Sequence, residues 1–357
     1  MKAMILAAGL GTRLRPLTNT VSKPMVPMAG RPCMEHIVSL LRKHGYTDII
    51  ANLHYLPEQI KGYFGDGSRF GVKLSYSLEE ELLGTAGGLK KVQDFFGNES
   101  FLVISGDALT DIDLSEFLSF HKATGGLASL ALKEVTDPSR FGVVLKNEAG
   151  LITAFQEKPA REEAISNLAN TGIYLFEPAI FSYIPPQTFY DFARDVFPRL
   201  LADGKRMPGY ETNRYWCDVG NLETYRESQA AILTGAVQAE IPAALSCAGG
   251  IFLGGGVKLS KEADVTGPCY IGNGCVIEEG ACITGPAVLG PGLLLRRDAM
   301  VTNSIFWGGG EIGAAARVAD SIIGYGVSIP AGAKVAGEVR ESLATPGFVV
   351  AAAAREK

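Results

Sequence analysis

Three features that mark other classes of protein are missing from this 357-residue chain. No run approaches the roughly 20 apolar residues that a transmembrane helix needs. The apolar run within residues 1–11 is about half as long as the core of a typical signal peptide and breaks at glycine, which favours a first β-strand. The net charge of −5 provides no basic face for nucleic acid or anionic lipid. We therefore expect a cytoplasmic protein that binds neither nucleic acid nor membrane.

Cysteine pairs and histidine are also scarce. The six cysteines include no C-x-x-C pair of the kind that binds zinc or performs redox chemistry. Reduced, mostly buried thiols are therefore expected rather than metal sites or disulfides. The four histidines are His36, His44, His54 and His121. An apolar share of 47% with 20% charged residues is ordinary for a globular protein and excludes disorder on a large scale.

Strand and helix signals alternate from residue 2 to about residue 230. Short apolar or alternating runs predict strands at residues 4–8, 49–53, 70–76 and 101–104. A helix is predicted after Pro32, with apolar side chains on one face and Gly45 at its end. Strands separated by helices predict a Rossmann-like, doubly wound mixed α/β sheet, in which ligands bind at the carboxyl ends of the strands.

A second pattern, with a period of six residues, follows a small-residue stretch at residues 235–250. Large apolar residues stand at every sixth position in nine places: Leu259, Val265, Ile271, Ile277, Ile283, Leu289, Leu295, Val301 and Trp307. The register is lost at residues 308–316 and resumes at Ile323, Ile329 and Val335. Hexapeptide periodicity is typical of a β-solenoid, in which each unit forms one flat side of a coil and its large residue fills the core.

The segment from Leu6 to Pro24, LAAGLGTRLRPLTNTVSKP, carries the strongest chemical signal. A glycine loop after a strand lets backbone N–H groups approach phosphate oxygens. The loop matches neither G-x-G-x-x-G, because Leu14 replaces the third glycine, nor a P-loop. Glycine spacing alone is equally compatible with a structural turn. Arg13 and Lys23 favour a ligand, because transfer of an α-phosphoryl group needs cations that hold the triphosphate and stabilise the departing pyrophosphate.

The order G-x-G-T-R-L followed by K-P resembles the signature of the sugar-1-phosphate nucleotidyltransferases. Further segments match that family in the expected order: GTAG at 84–87, SGD at 105–107, FGV at 141–143, EKP at 157–159, NTG at 170–172 and WCDVG at 216–220. The resemblance implies a nucleotidyltransferase catalytic domain at residues 1–234. After a linker at 235–250, residues 251–357 resemble the left-handed parallel β-helix of hexapeptide-repeat proteins.

The resemblance also implies a role for each matching residue. Arg13, Lys23 and Asp107 would be catalytic, and Asp107 with Asp218 would hold Mg²⁺, which takes oxygen ligands and keeps several waters. The residues that would contact the nucleotide are Leu6, Ala8, Gly9, Gly11, Thr12, Glu81, Gly84, Thr85 and Ala86. Those that would contact the sugar phosphate are Gly142, Glu157, Lys158 and Asn170. Taken singly, the aspartates fit turns or helix caps and the lysines fit solvated loops; six motifs in order favour the functional interpretation.

The implied reaction joins a nucleoside triphosphate to a hexose 1-phosphate and releases pyrophosphate. The GTAG loop and the hexapeptide tail are similar to mannose-1-phosphate guanylyltransferases, which use GTP. Leu82, where many of those have proline, and Ala108 depart from their pattern, so transfer from UTP or dTTP to glucose 1-phosphate is the alternative. Base choice depends on the hydrogen-bond geometry of the pocket. An exposed solenoid also favours a homo-oligomer.

Two functions of other classes compete with this interpretation. Hexapeptide-repeat acyltransferases resemble one another in placing a catalytic histidine on the β-helix, whereas all four histidines here precede the repeat. A non-catalytic, sugar-nucleotide-binding regulatory subunit would have lost cation or metal positions. The chain keeps all five: Arg13, Lys23, Asp107, Lys158 and Asp218. The sequence therefore favours an active enzyme.

Overall fold

The computed structural model describes residues 1–344, and the remainder of the predicted repeat domain, 345–357, lies outside the described residues. The contacts divide the chain into two units. The first unit comprises residues 1–9, 37–57 and 64–218. The second comprises residues 10–36 and 58–63 together with the chain from residue 219 onward. The segment that carries Arg13 and Lys23 therefore belongs to the same unit as the repeat. The predicted domain boundaries at residues 234 and 250 are positions along the sequence, whereas each unit combines several segments of the chain. These boundaries stay a prediction.

The first unit contains a nine-stranded mixed sheet. Its strands are Lys2–Leu6 (β1), Asp48–Leu53 (β2), Lys73–Leu78 (β3), Phe101–Ser105 (β4), Ala128–Glu134 (β5), Gly142–Lys146 (β6), Ile152–Glu157 (β7), Leu168–Phe176 (β8) and Gly209–Glu211 (β9). Seven follow the order β7-β6-β8-β4-β1-β2-β3, while β5 pairs with β8 and β9. The strands β1, β2, β3 and β4 are parallel, and β8 is antiparallel to β4 and β5. The predicted mixed α/β sheet is confirmed.

The predicted strand at residues 70–76 begins later than expected. Phe70 ends a 3₁₀ turn, and Gly71 follows it with a φ of 72°, which lies in the left-handed region. Extended backbone starts only at Lys73, so the apparent alternation from Phe70 combined a turn with a strand. The other three strands form within two residues of their predicted positions.

The described part of the chain before the repeat also contains seven α-helices: Cys33–Lys43 (α1), Pro57–Phe64 (α2), Gly84–Lys91 (α3), Gln93–Phe96 (α4), Leu114–Thr124 (α5), Phe197–Ala202 (α6) and Leu222–Thr234 (α7). As predicted, α1 begins directly after Pro32 and ends before Gly45. In α7, a reciprocal capping box between Asn221 and Thr224 satisfies backbone N–H groups at the first turn. No helix in the described part of the chain is both long and apolar enough to cross a bilayer.

Residues 251–344 form the predicted solenoid of short parallel strands. One face consists of Ile251–Leu253, Cys269–Ile271, Ala287–Leu289, Ile305–Phe306, Ile322–Ile323 and Val339–Arg340, and Leu245–Cys247 pairs antiparallel to its first strand. A second face consists of Lys258–Leu259, Val276–Ile277, Leu293–Leu295 and Gly310–Ile312. The third consists of Asp264–Thr266, Cys282–Thr284, Met300–Thr302, Arg317–Ala319 and Lys334–Ala336. The parallel β-helix is confirmed, and its left-handedness stays a prediction.

The interior of the solenoid contains most of the predicted large residues, each with 2% or less of its surface exposed: Ile271, Ile277, Ile283, Leu289, Leu295, Val301, Ile323, Ile329 and Val335. Burying such a side chain stabilises the fold by about 1.5–3 kcal/mol relative to leaving it in water. Leu259, on the edge strand of its face, is 40% exposed and does not join this core.

The prediction for Trp307 was wrong, because the coils change length before it. Ile271 lies opposite Leu289, 18 residues later, but Leu289 lies opposite Phe306, 17 residues later. Thr284 lies opposite Thr302 and Val288 opposite Ile305, so the three residues at 285–287 correspond one coil on to only two, Asn303 and Ser304. Asn303 adopts a φ of 43°, a left-handed conformation that asparagine tolerates better than most residues. Phe306 therefore takes the inward position, and Trp307 points away from the solenoid core.

All six cysteines are free thiols, as predicted. Cys33, Cys269 and Cys275 are buried, and burial raises the pKa of the Cys269 and Cys275 thiols to about 11. Both thiols therefore stay protonated near neutral pH. Cys247 is exposed, contrary to the expectation of mostly buried side chains.

Candidate active site

A cavity of about 260 Å³ opens in the first unit where the parallel strands end. It is lined by Leu6, Ala8, Gly9, Asn52, Glu79, Leu82, Gly84, Thr85, Ser105, Asp107, Phe189 and Asp191. Six of these residues were predicted from the sequence: Leu6, Ala8, Gly9, Gly84, Thr85 and Asp107. Apolar walls with a few convergent polar groups are typical of small-molecule sites, and the carboxyl ends of parallel strands are where α/β sheets place them.

The GTAG segment forms the first turn of α3, rather than a loop, and is docked against the backbone of Tyr190. The N–H groups of Ala86 and Gly87 donate to the Tyr190 carbonyl at 2.9 and 3.0 Å, and the Tyr190 N–H donates to the Leu83 carbonyl at 2.9 Å. A Cβ atom added to Gly84 would lie 2.6 Å from the Tyr190 carbonyl oxygen, so only glycine fits this approach. Ala86 is fully buried and does not line the cavity.

Thr85 is fixed by Asp191, a residue that the sequence interpretation missed. The Thr85 hydroxyl donates to Asp191 Oδ2 at 2.8 Å and accepts the Phe192 N–H at 2.9 Å. The other carboxylate oxygen of Asp191 accepts the N–H groups of Ala193 and Arg194. Asp191 therefore joins the wall of the cavity to a helical turn some hundred residues further along the chain, a pairing for which a lone aspartate gives no sequence signal.

Asn52 and Glu79 form a second network that was not predicted. Asn52 accepts the Ala7 N–H at 2.9 Å through Oδ1 and donates to Glu79 Oε1 at 2.7 Å. Glu79 Oε2 accepts the Leu83 N–H at 3.0 Å. The two side chains thus connect Ala7, two residues before Gly9, to Leu83, the residue before GTAG. The predicted Glu81 is not on this wall: it lines a separate surface pocket together with Lys90 and Lys91.

Strand pairing brings the two predicted metal ligands together. Trp216–Asp218 pairs antiparallel with Ala108–Thr110, and Asp218 lies directly opposite Ala108, the residue after Asp107. Residues opposite one another in such a ladder have Cα atoms roughly 4.5–5.5 Å apart. Both aspartates are partly exposed. No group of three or more His, Cys, Asp or Glu side chains in residues 1–344 could enclose a metal ion, whereas two carboxylates suit Mg²⁺, which retains waters and binds phosphate.

Gly142 and Glu157 lie together on the antiparallel pair β6–β7, and Lys158 directly follows β7. Gly142 is directly opposite Glu157, and an added Cβ would lie 2.8 Å from Glu157 Oε2 and 2.6 Å from the Phe155 ring. Lys158 Nζ lies 3.5 Å from Glu157 Oε1. The Lys158 backbone has a φ of 45°, which is strained for a non-glycine residue and is found preferentially at functional sites.

Asn170 occupies an irregularity in β8. The register of β8 against β5 shifts between Asn170 and Tyr174, which is the local pattern of a β-bulge. Asn170 Nδ2 donates to the Tyr174 hydroxyl at 2.9 Å, and its Oδ1 accepts the Gly172 N–H at 3.2 Å. An amide has two donors and two acceptor positions, so each end of Asn170 keeps capacity for one further hydrogen bond.

The predicted phosphate cations belong to the second unit. Gly11, with a φ of 65°, precedes the 3₁₀ turn Thr12–Leu14, in which Thr12 and Arg13 are exposed. Lys23 begins another 3₁₀ turn and is only 7% exposed. A Cβ on Gly11 would lie 2.9 Å from the Lys23 Cβ, so the glycine loop packs directly against the lysine stem. The roles of Arg13, Lys23, Gly11 and Thr12 in ligand binding stay predictions.

Comparisons with known proteins agree with the sequence motifs. Residues 2–235 match the family model described as nucleotidyl transferase, and residues 258–353 match one described as GlmU-like, C-terminal hexapeptide. The chain is 45% identical over 249 residues to a Synechocystis UTP–glucose-1-phosphate uridylyltransferase, covering 66% of this chain and 64% of that protein. It is 38% identical over 234 residues to a Mycobacterium tuberculosis mannose-1-phosphate guanylyltransferase, covering 65% of each.

A solved Bacillus anthracis structure, provisionally named glucose-1-phosphate thymidylyltransferase, superimposes on 64% of this chain and 94% of its own with a TM-score of 0.60 at 30% identity. In the two sequence comparisons, the matched segment spans just under two thirds of the length of the Synechocystis and Mycobacterium tuberculosis proteins. A family model that covers residues 2–235, together with relatives above 35% identity, establishes the family. This chain belongs to the nucleotidyl transferase family and carries a C-terminal hexapeptide-repeat domain.

Proposed function

We propose that this chain is an enzyme that joins a nucleoside triphosphate to a hexose 1-phosphate, giving a nucleotide-sugar and pyrophosphate. The observation that carries the proposal is the strand-end cavity, where the first two residues of GTAG, the start of the glycine loop and Asp107 line one space. A separate set consists of Gly142 and Glu157, which are paired on neighbouring strands, and Lys158, which directly follows. The family relatives are named for reactions of this kind.

In the proposed reaction, a phosphate oxygen of the sugar 1-phosphate attacks the α-phosphorus. The bond between the α-phosphorus and the bridging oxygen breaks, and that oxygen leaves with pyrophosphate. No covalent intermediate with the protein is needed, so the side chains act by orientation and charge stabilisation. Arg13 and Lys23 are assigned to the triphosphate, and Lys158 to the sugar phosphate. Mg²⁺, held by Asp107 and Asp218, would neutralise phosphate charge.

Two substrate pairs are candidates. Mannose 1-phosphate with GTP follows from the GTAG loop and is supported by the guanylyltransferase relatives. Glucose 1-phosphate with UTP is supported by the 45% identity to the uridylyltransferase. Leu82, which departs from the guanylyltransferase pattern, lines the cavity in which we place the nucleotide, and this also favours the second pair.

A pyrophosphate-release screen tests both the reaction and the pair. GTP, UTP, dTTP and ATP are each combined with mannose 1-phosphate and glucose 1-phosphate in the presence of Mg²⁺. One pair is expected to exceed the others, and Lys23→Ala and Asp107→Ala should each lower its turnover by about 10²-fold or more. Lys122→Ala and Asp94→Ala, both at exposed positions, control for the loss of a lysine or an aspartate elsewhere in the chain. Absence of pyrophosphate with every pair would refute the proposal, and near-normal turnover in either variant would remove that residue from the mechanism.

A further inference from the structure

The segment after Lys23 forms a tight hairpin with an unusual turn. Pro27–Met28 pairs antiparallel with Arg31–Pro32. The two turn residues, Ala29 and Gly30, have φ values of 44° and 87°. Positive φ at both central positions is the pattern of a type I′ turn, which asparagine and glycine form readily and alanine does not. Contacts outside the hairpin must therefore stabilise this turn, because the backbone of Ala29 does not itself favour a positive φ.

Helix α7 supplies the first of those contacts. Gln229 accepts the Ala29 N–H at 2.7 Å and donates through Nε2 to the Pro27 carbonyl at 2.6 Å. The Tyr225 hydroxyl donates to the same carbonyl at 2.6 Å. Tyr225 is fully buried and Gln229 is 2% exposed, so water cannot replace either partner. A buried carbonyl or amide that loses its partner costs about 1–3 kcal/mol.

The solenoid supplies the second set of contacts. Trp307, which the shorter coil turns away from the solenoid interior, donates from Nε1 to the Tyr225 hydroxyl at 2.9 Å. Burial raises the pKa of Tyr225, so its hydroxyl keeps the proton that it donates to Pro27. Tyr270, on the same face of the solenoid, packs against Gly30: a Cβ added there would lie 2.6 Å from the tyrosine ring. Two aromatic residues of the solenoid thus fix the hairpin, one through Tyr225 and one directly.

The hairpin directly follows, along the chain, the turn that begins at Lys23, the lysine predicted to bind phosphate. The Val26 N–H donates to the Lys23 carbonyl at 3.2 Å, and the Cys33 N–H donates to the Val26 carbonyl at 3.0 Å. Lys23 in turn packs against Gly11. A displacement of Pro27 therefore moves the turn that begins at Lys23, because only three residues separate them and both ends of this segment are hydrogen-bonded.

We propose that Trp307 and Tyr225 are positioning residues, through which the solenoid sets the placement of Lys23 and hence the binding of the triphosphate. This inference rests on the proposed role of Lys23. It gives the hexapeptide domain a part in the reaction in addition to the self-association predicted from the sequence. The solenoid residue Trp307 is hydrogen-bonded to Tyr225, which is hydrogen-bonded to Pro27, four residues after Lys23.

The test uses the full-length chain and two conservative variants. Trp307→Phe keeps an aromatic ring and removes the N–H donor; Tyr225→Phe keeps the ring and removes the hydroxyl. Each should raise the KM for the triphosphate about tenfold, the equivalent of one net buried hydrogen bond, while the KM for the sugar phosphate changes less than about twofold. Val301→Ala is the matched control, because it destabilises the solenoid core on a different face.

Hydrogen exchange of the amides in residues 23–33 gives a second measurement that does not depend on activity. Both variants should speed exchange in this segment about tenfold relative to the wild type, and Val301→Ala should not. An active wild type with unchanged triphosphate KM in both variants would overturn the inference and leave the proposed function intact. An inactive wild type would refute the proposed function, and the exchange rates would then decide whether the solenoid fixes the hairpin.

Discussion

Asn52 donates a 2.7 Å hydrogen bond to Glu79, and both side chains are almost completely buried, with 3% and 2% of their surface exposed. The pair lies on the wall of the strand-end cavity. A Cβ added to Gly88 in α3 would lie 2.5 Å from Glu79 Oε1, so the absence of a side chain at Gly88 makes room for the carboxylate. The network holds Ala7, just before the glycine loop, and Leu83, just before α3, at a fixed separation.

Glu79→Gln should therefore destabilise the protein. The substitution replaces one acceptor oxygen by an NH₂ group, which must then face the Leu83 N–H or the Asn52 amide, both donors. We expect a loss of about 1–3 kcal/mol in the free energy of unfolding, measured by urea denaturation. Glu80→Gln, at the adjacent exposed position, should change it by less than about 0.5 kcal/mol. Equal stability of the two variants would show that the network contributes nothing.

Gly142→Ala should weaken binding of the sugar phosphate selectively. The added Cβ would meet Glu157 Oε2 and the Phe155 ring at less than 3 Å, so the Glu157 carboxylate must move. Given the proposed role of Glu157, we expect the KM for the sugar 1-phosphate to rise about tenfold or more, the loss of at least one hydrogen bond, with the triphosphate KM nearly unchanged. Steady-state pyrophosphate release measures both constants. In Gly255→Ala the new Cβ has only an ordinary contact, so this variant should behave as the wild type; a parallel rise in both constants would point to general misfolding.

The buried side chain of His36 should lower the free energy of unfolding in mild acid. Burial lowers the pKa of His36 from 6.5 to about 4, and its Nε2 lies 3.0 Å from the Met28 carbonyl of the hairpin. Between pH 6.5 and about 4 the unfolded chain binds a proton that the folded chain does not, so stability decreases as the pH is lowered through this range. The contribution of His36 is on the order of 2–3 kcal/mol.

Urea denaturation at pH 7 and pH 4.5 measures this effect in the wild type and in His36→Gln, which can still donate a hydrogen bond but does not titrate. Burial also lowers the pKa of His44 and His121, so the difference between wild type and variant isolates His36. The variant should lose less stability on acidification than the wild type. An identical loss in both would exclude His36 as a source of acid sensitivity.

The sequence predicted the elements of the candidate site better than their pairing. Leu6, Gly9, Gly84, Thr85 and Asp107 line one cavity because each ends or follows one of the parallel strands of the mixed sheet. That rule can be applied to a bare sequence. The closeness of Asp107 and Asp218 required the family resemblance, since a three-residue ladder joins segments over a hundred residues apart.

Other features had no local signal. Asn52 stands within a buried strand, where a polar residue between apolar neighbours does not reveal which partner satisfies it. Asp191 resembles any helix-capping aspartate. In the repeat, the large residues from Ile271 to Val301 were identified correctly. The shift at Asn303 was missed because Trp307 continued the six-residue spacing by coincidence. The period of 17 becomes evident only when the left-handed corner residues Asn303, Asp320 and Gly337 are compared.

The corner at Asn303, which is one residue shorter than its counterpart in the preceding coil, has a wider consequence. In a solenoid whose sides are all equally long, the same positions of every coil point into the interior. Shortening one corner by one residue moves each following residue back by one position. A bulky ring that would have filled the interior then points outward and can contact a neighbouring element. Coil length is thus an adjustable parameter by which a repetitive scaffold selects an outward-facing side chain, and inserting one residue beside Asn303 should reverse the choice between Phe306 and Trp307.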